Sequence, residues 1–67
     1  MFKIGERIRA ARQDKGLTQK QFAGILNVPA NTLSQWETGR HEPPVEMIRQ
    51  IAIALECDAN YLLGFAD

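Results

Sequence analysis

Between positions 31 and 38 the chain collects five side chains that are uncharged yet can donate or accept hydrogen bonds: Asn31, Thr32, Ser34, Gln35 and Thr38. At about 100° per residue, with Leu33 set at zero, Trp36 falls near −60°, Glu37 near +40° and Ala30 near +60°, which makes theirs the inward face of a helix. The five polar residues occupy the opposite half. An idle surface helix is usually built from Lys and Glu, which favour helix and solubilise. Asn, Ser and Thr favour caps and turns instead, so helix stability does not explain their presence. Base edges do explain it: Asn and Gln can pair bidentately with adenine, and Ser or Thr hydroxyls can serve several bases. The competing reading is a polar face that is only solvated.

Other chemistries lack their residues. The sequence holds no paired carboxylates, no Cys/His pair and no glycine-rich phosphate loop, so no catalytic site is expected. One cysteine and one histidine offer no metal cluster, and no metal, cofactor or small-molecule ligand is expected. Cys57 reads as a small, half-buried filler, and its solitude suits a reducing cytoplasm. A chain of 67 residues leaves little interior for a pocket beside its core. The N-terminal ten residues carry Lys3, Glu6, Arg7 and Arg9 and do not read as a signal peptide. The longest apolar run, 51–55, is far too short to span a membrane. Net charge is zero but segregated: positions 1–40 hold seven Lys or Arg against three acids, and positions 41–67 hold one against five. One half could therefore face phosphates.

The elements that must position these residues read as five short helices. The first is predicted over 3–15, with Ile4, Ile8 and Ala11 on one stripe and Gly16 as a left-handed stop. The second begins at Thr18, whose capping box with Gln21 and staple between Leu17 and Phe22 are the clearest start signal in the chain. Phe22, Ala23 and Leu26 form its inner face, Asn27 ends it, and Gly24 is expected to allow close helix packing. The third spans 29–38, with Pro29 at its first position and Gly39 ending it. Trp36 packs inward and orients it. A fourth is expected over 44–55 with Val45, Ile48, Ile51, Ala52 and Leu55 inward. A fifth is expected over 59–63, capped by Asp58, with Leu62 in the core. Met47, Ile53, Tyr61 and Phe65 fall off these stripes, and gathered in one patch they would make a dimer surface. The short link Leu26-Asn27-Val28-Pro29 suits a helix-turn-helix. It leaves Thr18 and Gln19 at a helix N-terminus fit for a phosphate.

The run Leu17-Thr18-Gln19, Phe22-Ala23, Leu26-Asn27-Val28 and Leu33-Ser34-Gln35-Trp36-Glu37-Thr38-Gly39-Arg40 resembles the helix-turn-helix of the lambda-type phage repressor and Cro family, also called XRE. Pro44, Ile48, Ile51-Ala52, Leu55 and Tyr61-Leu62-Leu63-Gly64 continue the likeness, so it covers nearly the whole chain. The resemblance implies a compact five-helix, all-α, lambda-repressor-like domain over 1–67, with the helix-turn-helix at about 18–38. It implies base-reading by Ala30, Asn31, Thr32, Ser34 and Gln35. It implies phosphate contacts by Thr18, Gln19, Lys20, Thr38, Arg40 and His41, with a base at the edge of the site as the alternative contact of Gln19. Glu37 faces inward and needs a partner, and Arg12 lies on the shoulder of the first helix's stripe. The family pattern pairs these two as a structural ion pair. Pro29 and Ala30 depart from the hydroxyl and amide residues common there, which makes Asn31 the chief polar reader and leaves steric fit or a thymine methyl to the helix start. The implied function is a cytoplasmic transcriptional regulator of the repressor type. It would act as a homodimer on a pseudo-palindromic double-stranded DNA operator, its two reading helices about 34–36 Å apart. The alternative is an antitoxin-like protein-interaction module with secondary DNA binding.

Overall fold

A computed structural model describes residues 4–57 and 61–62. Four helices follow one another along the chain: α1 (Ile4–Asp14), α2 (Gln19–Leu26), α3 (Ala30–Thr38) and α4 (Val45–Leu55). The expected fifth helix falls largely outside the described residues. Tyr61 and Leu62 are helical, and Leu62 is fully buried as anticipated.

Local chemistry sets most of the boundaries. Thr18 accepts a hydrogen bond from Gln21 N at 3.0 Å, and Gln21 Oε1 accepts one from Thr18 N at 2.9 Å, closing the capping box. Asn27 stops α2 in the left-handed conformation (φ 62°), and Gly39 stops α3 the same way (φ 83°). Pro29 and Pro44 sit one position earlier than expected. Their ψ values of 147° and 157° are extended, so each is the cap residue preceding the helix and not its first helical residue. The end of α4 carries no sequence signal: Glu56 itself adopts the left-handed conformation (φ 56°), at a cost of about 1–2 kcal/mol for a side chain with a Cβ. Lys15 Nζ donates to Glu56 Oε1 at 2.5 Å across the ends of α1 and α4. That bond and the lysine's charge hold the Glu56 carboxyl below its ordinary range.

The core joins Ile4 and Ile8 of α1, Phe22, Ala23 and Leu26 of α2, Leu33 and Trp36 of α3, Ile51, Ala52 and Leu55 of α4, and Leu62. Fully burying one such side chain is worth about 1.5–3 kcal/mol, so a small cluster suffices at this size. Three expectations about packing need correction. Val45 is 79% exposed: α4 starts beyond the core, and Met47 and Ile48 are its first residues to pack against it. Met47 and Tyr61 pack against the core edge, and Arg7 lies 5.0 Å from the Tyr61 ring centroid, a cation–π distance. Gly24 is exposed and a Cβ there would meet open space, so close packing is not its role. The close approach is at Gly5. A Cβ on it would collide with the carbonyl oxygen of Trp36 and lie 2.6 Å from that of Glu37. Backbone of α1 thus rides on the last turns of α3.

A buried ion pair fixes the same seam. Arg12 Nε donates to Glu37 Oε2 at 2.7 Å and Nη2 to Oε1 at 3.1 Å, while Nη1 donates to the carbonyl of Leu17 at 2.7 Å. The side chains are only 8% and 2% exposed, so water solvates neither charge. Each is instead satisfied by the other, and among the described residues no buried side-chain polar atom lacks a partner. The fork geometry of a guanidinium matches a carboxylate in direction as well as charge. The pair therefore sets the rotation of α3 about its own axis as well as its distance from α1.

Two glycine substitutions should move stability in opposite directions, read by thermal denaturation. Gly24→Ala should stabilise by up to about 1 kcal/mol, the helix-propensity difference at an exposed position. Gly5→Ala should destabilise by about 1–3 kcal/mol, because backbone must shift to admit the methyl. Removing the carboxylate in Glu37→Ala strands Arg12 and should cost about 3–5 kcal/mol. That approaches the whole stability of so small a domain, at about 0.05–0.15 kcal/mol per residue. An unchanged melting temperature in Glu37→Ala would contradict the structural role of the pair.

Candidate nucleic-acid interface

The turn between α2 and α3 is three residues long, Asn27, Val28 and Pro29. Val28 N bonds back to the Ala23 carbonyl at 3.0 Å, tying the turn to α2, and Val28 packs against the core. Proline then fixes φ at −63° and launches α3 in a new direction. With Leu33, Trp36 and Glu37 buried, the remaining side of α3 faces outward.

Asn31 and Thr38 on that side are exposed, and Thr32, Ser34 and Gln35 are half-buried. Ala30 is exposed too, although helical angle alone put it inward: contact between α3 and the core begins only at Leu33, three residues on. Among the described residues the side chains of Asn31, Thr32, Ser34 and Gln35 make no hydrogen bond. Their donors and acceptors are therefore unspent. Thr38 differs, since its hydroxyl donates to the Gln35 carbonyl at 3.2 Å within the last turn. Its oxygen can still accept, but a phosphate offers no proton to accept.

Candidate phosphate contacts fall on both flanks. Thr18 is exposed, and its oxygen accepts from Gln21 N, which leaves the hydroxyl proton to donate outward. Lys20, Arg40 and His41 are exposed, and among the described residues none forms an ion pair. The positive charge of the first forty residues is less available than the sequence suggests. Arg12 is neutralised by Glu37 and Lys15 by Glu56, and Arg7 lies over Tyr61.

One connection went unforeseen. Gln19 is half-buried, and its Nε2 donates to Glu37 Oε1 at 2.9 Å. A signal was present in its spacing, three and four residues before the buried Phe22 and Ala23, which turns it toward the same face. Of the residues named for an apolar patch, Met47 and Tyr61 pack partly against the core, Ile53 is 72% exposed, and Phe65 lies outside the described residues. Among the described residues no group of His, Cys, Asp or Glu is placed to hold a metal ion, and no helix is long and apolar enough to cross a membrane.

Known proteins share this arrangement. Residues 8–62 match the family described as helix-turn-helix. The chain is 34% identical over 61 residues to the HTH-type transcriptional regulator ImmR of Bacillus subtilis (strain 168), covering 91% of this chain and 48% of that protein. It is 37% identical over 60 residues to Repressor protein C2 of Salmonella phage P22, covering 90% of this chain and 28% of that one. The chain thus spans about half or less of the length of these relatives. Its fold superposes on the crystal structure of the P22 c2 repressor in complex with a synthetic operator, with a TM-score of 0.88 and 33% identity, over 98% of this chain and 100% of that one. The agreement of the described helices, the short α2–α3 turn and these relatives places the chain in the helix-turn-helix family, within the branch that includes phage repressors and HTH-type transcriptional regulators.

Proposed function

We propose that the chain is a sequence-specific, double-stranded DNA-binding unit of a transcriptional repressor, with α3 in the major groove. The observation that carries this reading is the outward side of α3, where exposed Asn31 and its neighbours Thr32, Ser34 and Gln35 hold amide and hydroxyl groups with no internal partner. Hydrogen-bonding groups left unspent at a surface built of poor helix formers serve stability badly and serve base edges well. The likeness to a repressor solved on its operator supports the same orientation of α3.

Roles follow from chemistry. Asn31 reads a base edge, with Thr32, Ser34 and Gln35 adding hydrogen bonds to bases where they reach. Ala30 offers a methyl, suited to van der Waals contact with thymine. Thr18, Gln19, Lys20 and Arg40 hold phosphates on either side of the groove, with His41 beside Arg40, and Thr38 bounds the end of the reading face. One domain of this size covers a short half-site, so a homodimer on a pseudo-palindromic operator supplies the specificity. Such a regulator works in the cytoplasm and needs no catalytic group or cofactor.

Selection of bound sequences from a random duplex pool at two salt concentrations tests the reading. Enrichment of a two-fold symmetric site, with affinity falling steeply as salt rises, is expected. Recovery of no preferred sequence would overturn it. On the selected site Asn31→Ala should cost about 1–3 kcal/mol and relax preference at one base position, with little change on unrelated duplexes. Arg40→Ala should weaken every sequence alike and reduce the salt slope by about one.

A further inference from the structure

The side-chain amide of Gln19 is held from inside the protein. Its Nε2 donates to Glu37 Oε1 at 2.9 Å, and that oxygen also accepts from Arg12 Nη2 at 3.1 Å. Arg12 Nε holds the other carboxylate oxygen at 2.7 Å, so the carboxylate cannot turn. An amide has two N–H donors and one acceptor oxygen. Only its nitrogen side can face a carboxylate, because the flipped amide would set oxygen against oxygen. The bond to Glu37 uses one N–H and leaves the second, at the start of α2 between exposed Thr18 and Lys20.

We infer that Glu37 is a positioning residue for DNA binding: through its hydrogen bond it fixes the direction of the Gln19 amide, so that Gln19 meets a backbone phosphate as a pre-oriented N–H donor. The inference rests on the DNA-binding reading above. It assigns Glu37 two tasks, seating α3 against α1 and aiming a phosphate contact on α2. Arg12 makes the second task possible. A bare carboxylate behind a phosphate-binding surface would repel the backbone, whereas the pair carries no net charge. Because Gln19 is ordered during folding, its rotamer freedom is not lost again on binding, which is the gain from preorganisation.

The test uses two double variants of the 67-residue chain, each first checked for folding by thermal denaturation. Arg12→Met/Glu37→Leu exchanges the buried pair for apolar side chains, a change such sites often tolerate. It leaves Gln19 without an acceptor. Arg12→Met/Glu37→Gln restores a neutral acceptor oxygen. Binding to a duplex of about 20 base pairs selected from the random pool is measured with and without Gln19→Ala in each background. Gln19→Ala should weaken binding about tenfold in the wild-type background, under about twofold in the leucine background, and again severalfold in the glutamine background. NMR relaxation of the Gln19 side-chain amide in the DNA-free wild type should give an order parameter approaching the rigid value of about 0.85, well above those of exposed Gln13 and Gln50. Equal Gln19→Ala losses in all backgrounds would overturn the inference while leaving DNA binding intact. Absence of duplex binding by the wild type would overturn the DNA-binding reading, and the inference with it. Should the leucine variant not fold, the relaxation measurement decides, since a Gln19 amide as mobile as those of Gln13 and Gln50 contradicts positioning by Glu37.

Discussion

The Arg12–Glu37 pair is where stability and recognition meet. Two opposite charges, almost without solvent, are matched by a two-point fork between them and by a third bond to the Leu17 carbonyl. Solvation lost by burying such groups is seldom fully recovered, so a buried pair is a poor device for stability alone. What it does supply is direction. A carboxylate gripped by a guanidinium has one orientation, and Glu37 is part of α3, so the helix cannot roll without breaking both bonds. The apolar contacts of Leu33 and Trp36 hold α3 to the core but would tolerate small rotations. The ion pair does not.

The backbone approach at Gly5 works with it. Because α1 lies directly on the carbonyls of Trp36 and Glu37, the separation of the two helices is set by main chain and not by side-chain size. Separation and roll are thus governed by different residues within one seam. For a helix whose outward side chains must reach base edges, both matter, since an error of about 1 Å or a few tens of degrees takes an amide out of hydrogen-bonding range. The bond from Gln19 to Glu37 brings α2 into the same network, so three helices meet at one carboxylate.

Much of this was legible from residue order. Periodicity separated the inward Leu33, Trp36 and Glu37 from the outward polar side of α3, and the capping box of Thr18 and Gln21 located the start of α2. Charge at inward Glu37 demanded a partner, and the family resemblance supplied Arg12 as that partner. Features that depend on tertiary register were not legible. Gly5 and Gly24 look alike in a helical pattern, yet one sits against backbone and the other in open space. The left-handed turn at Glu56 has no glycine or asparagine to mark it, and Val45 shares a helical stripe with core residues while lying beyond the core's reach. Segregation of charge along the chain exaggerated the cations available to phosphates, because Arg12 and Lys15 are engaged by acids on other helices.

The central claim is that the outward side of α3 touches base pairs. Its most direct measurement is the NMR signal of the Asn31 side-chain amide as the labelled chain is titrated with the selected duplex and, separately, with a scrambled one of equal length. The account predicts a large, saturating shift with the selected duplex and little with the scrambled one, while signals near Lys20 and Arg40 respond to both. Equal responses of Asn31 to the two duplexes, or perturbations confined to surfaces away from α3, would contradict it.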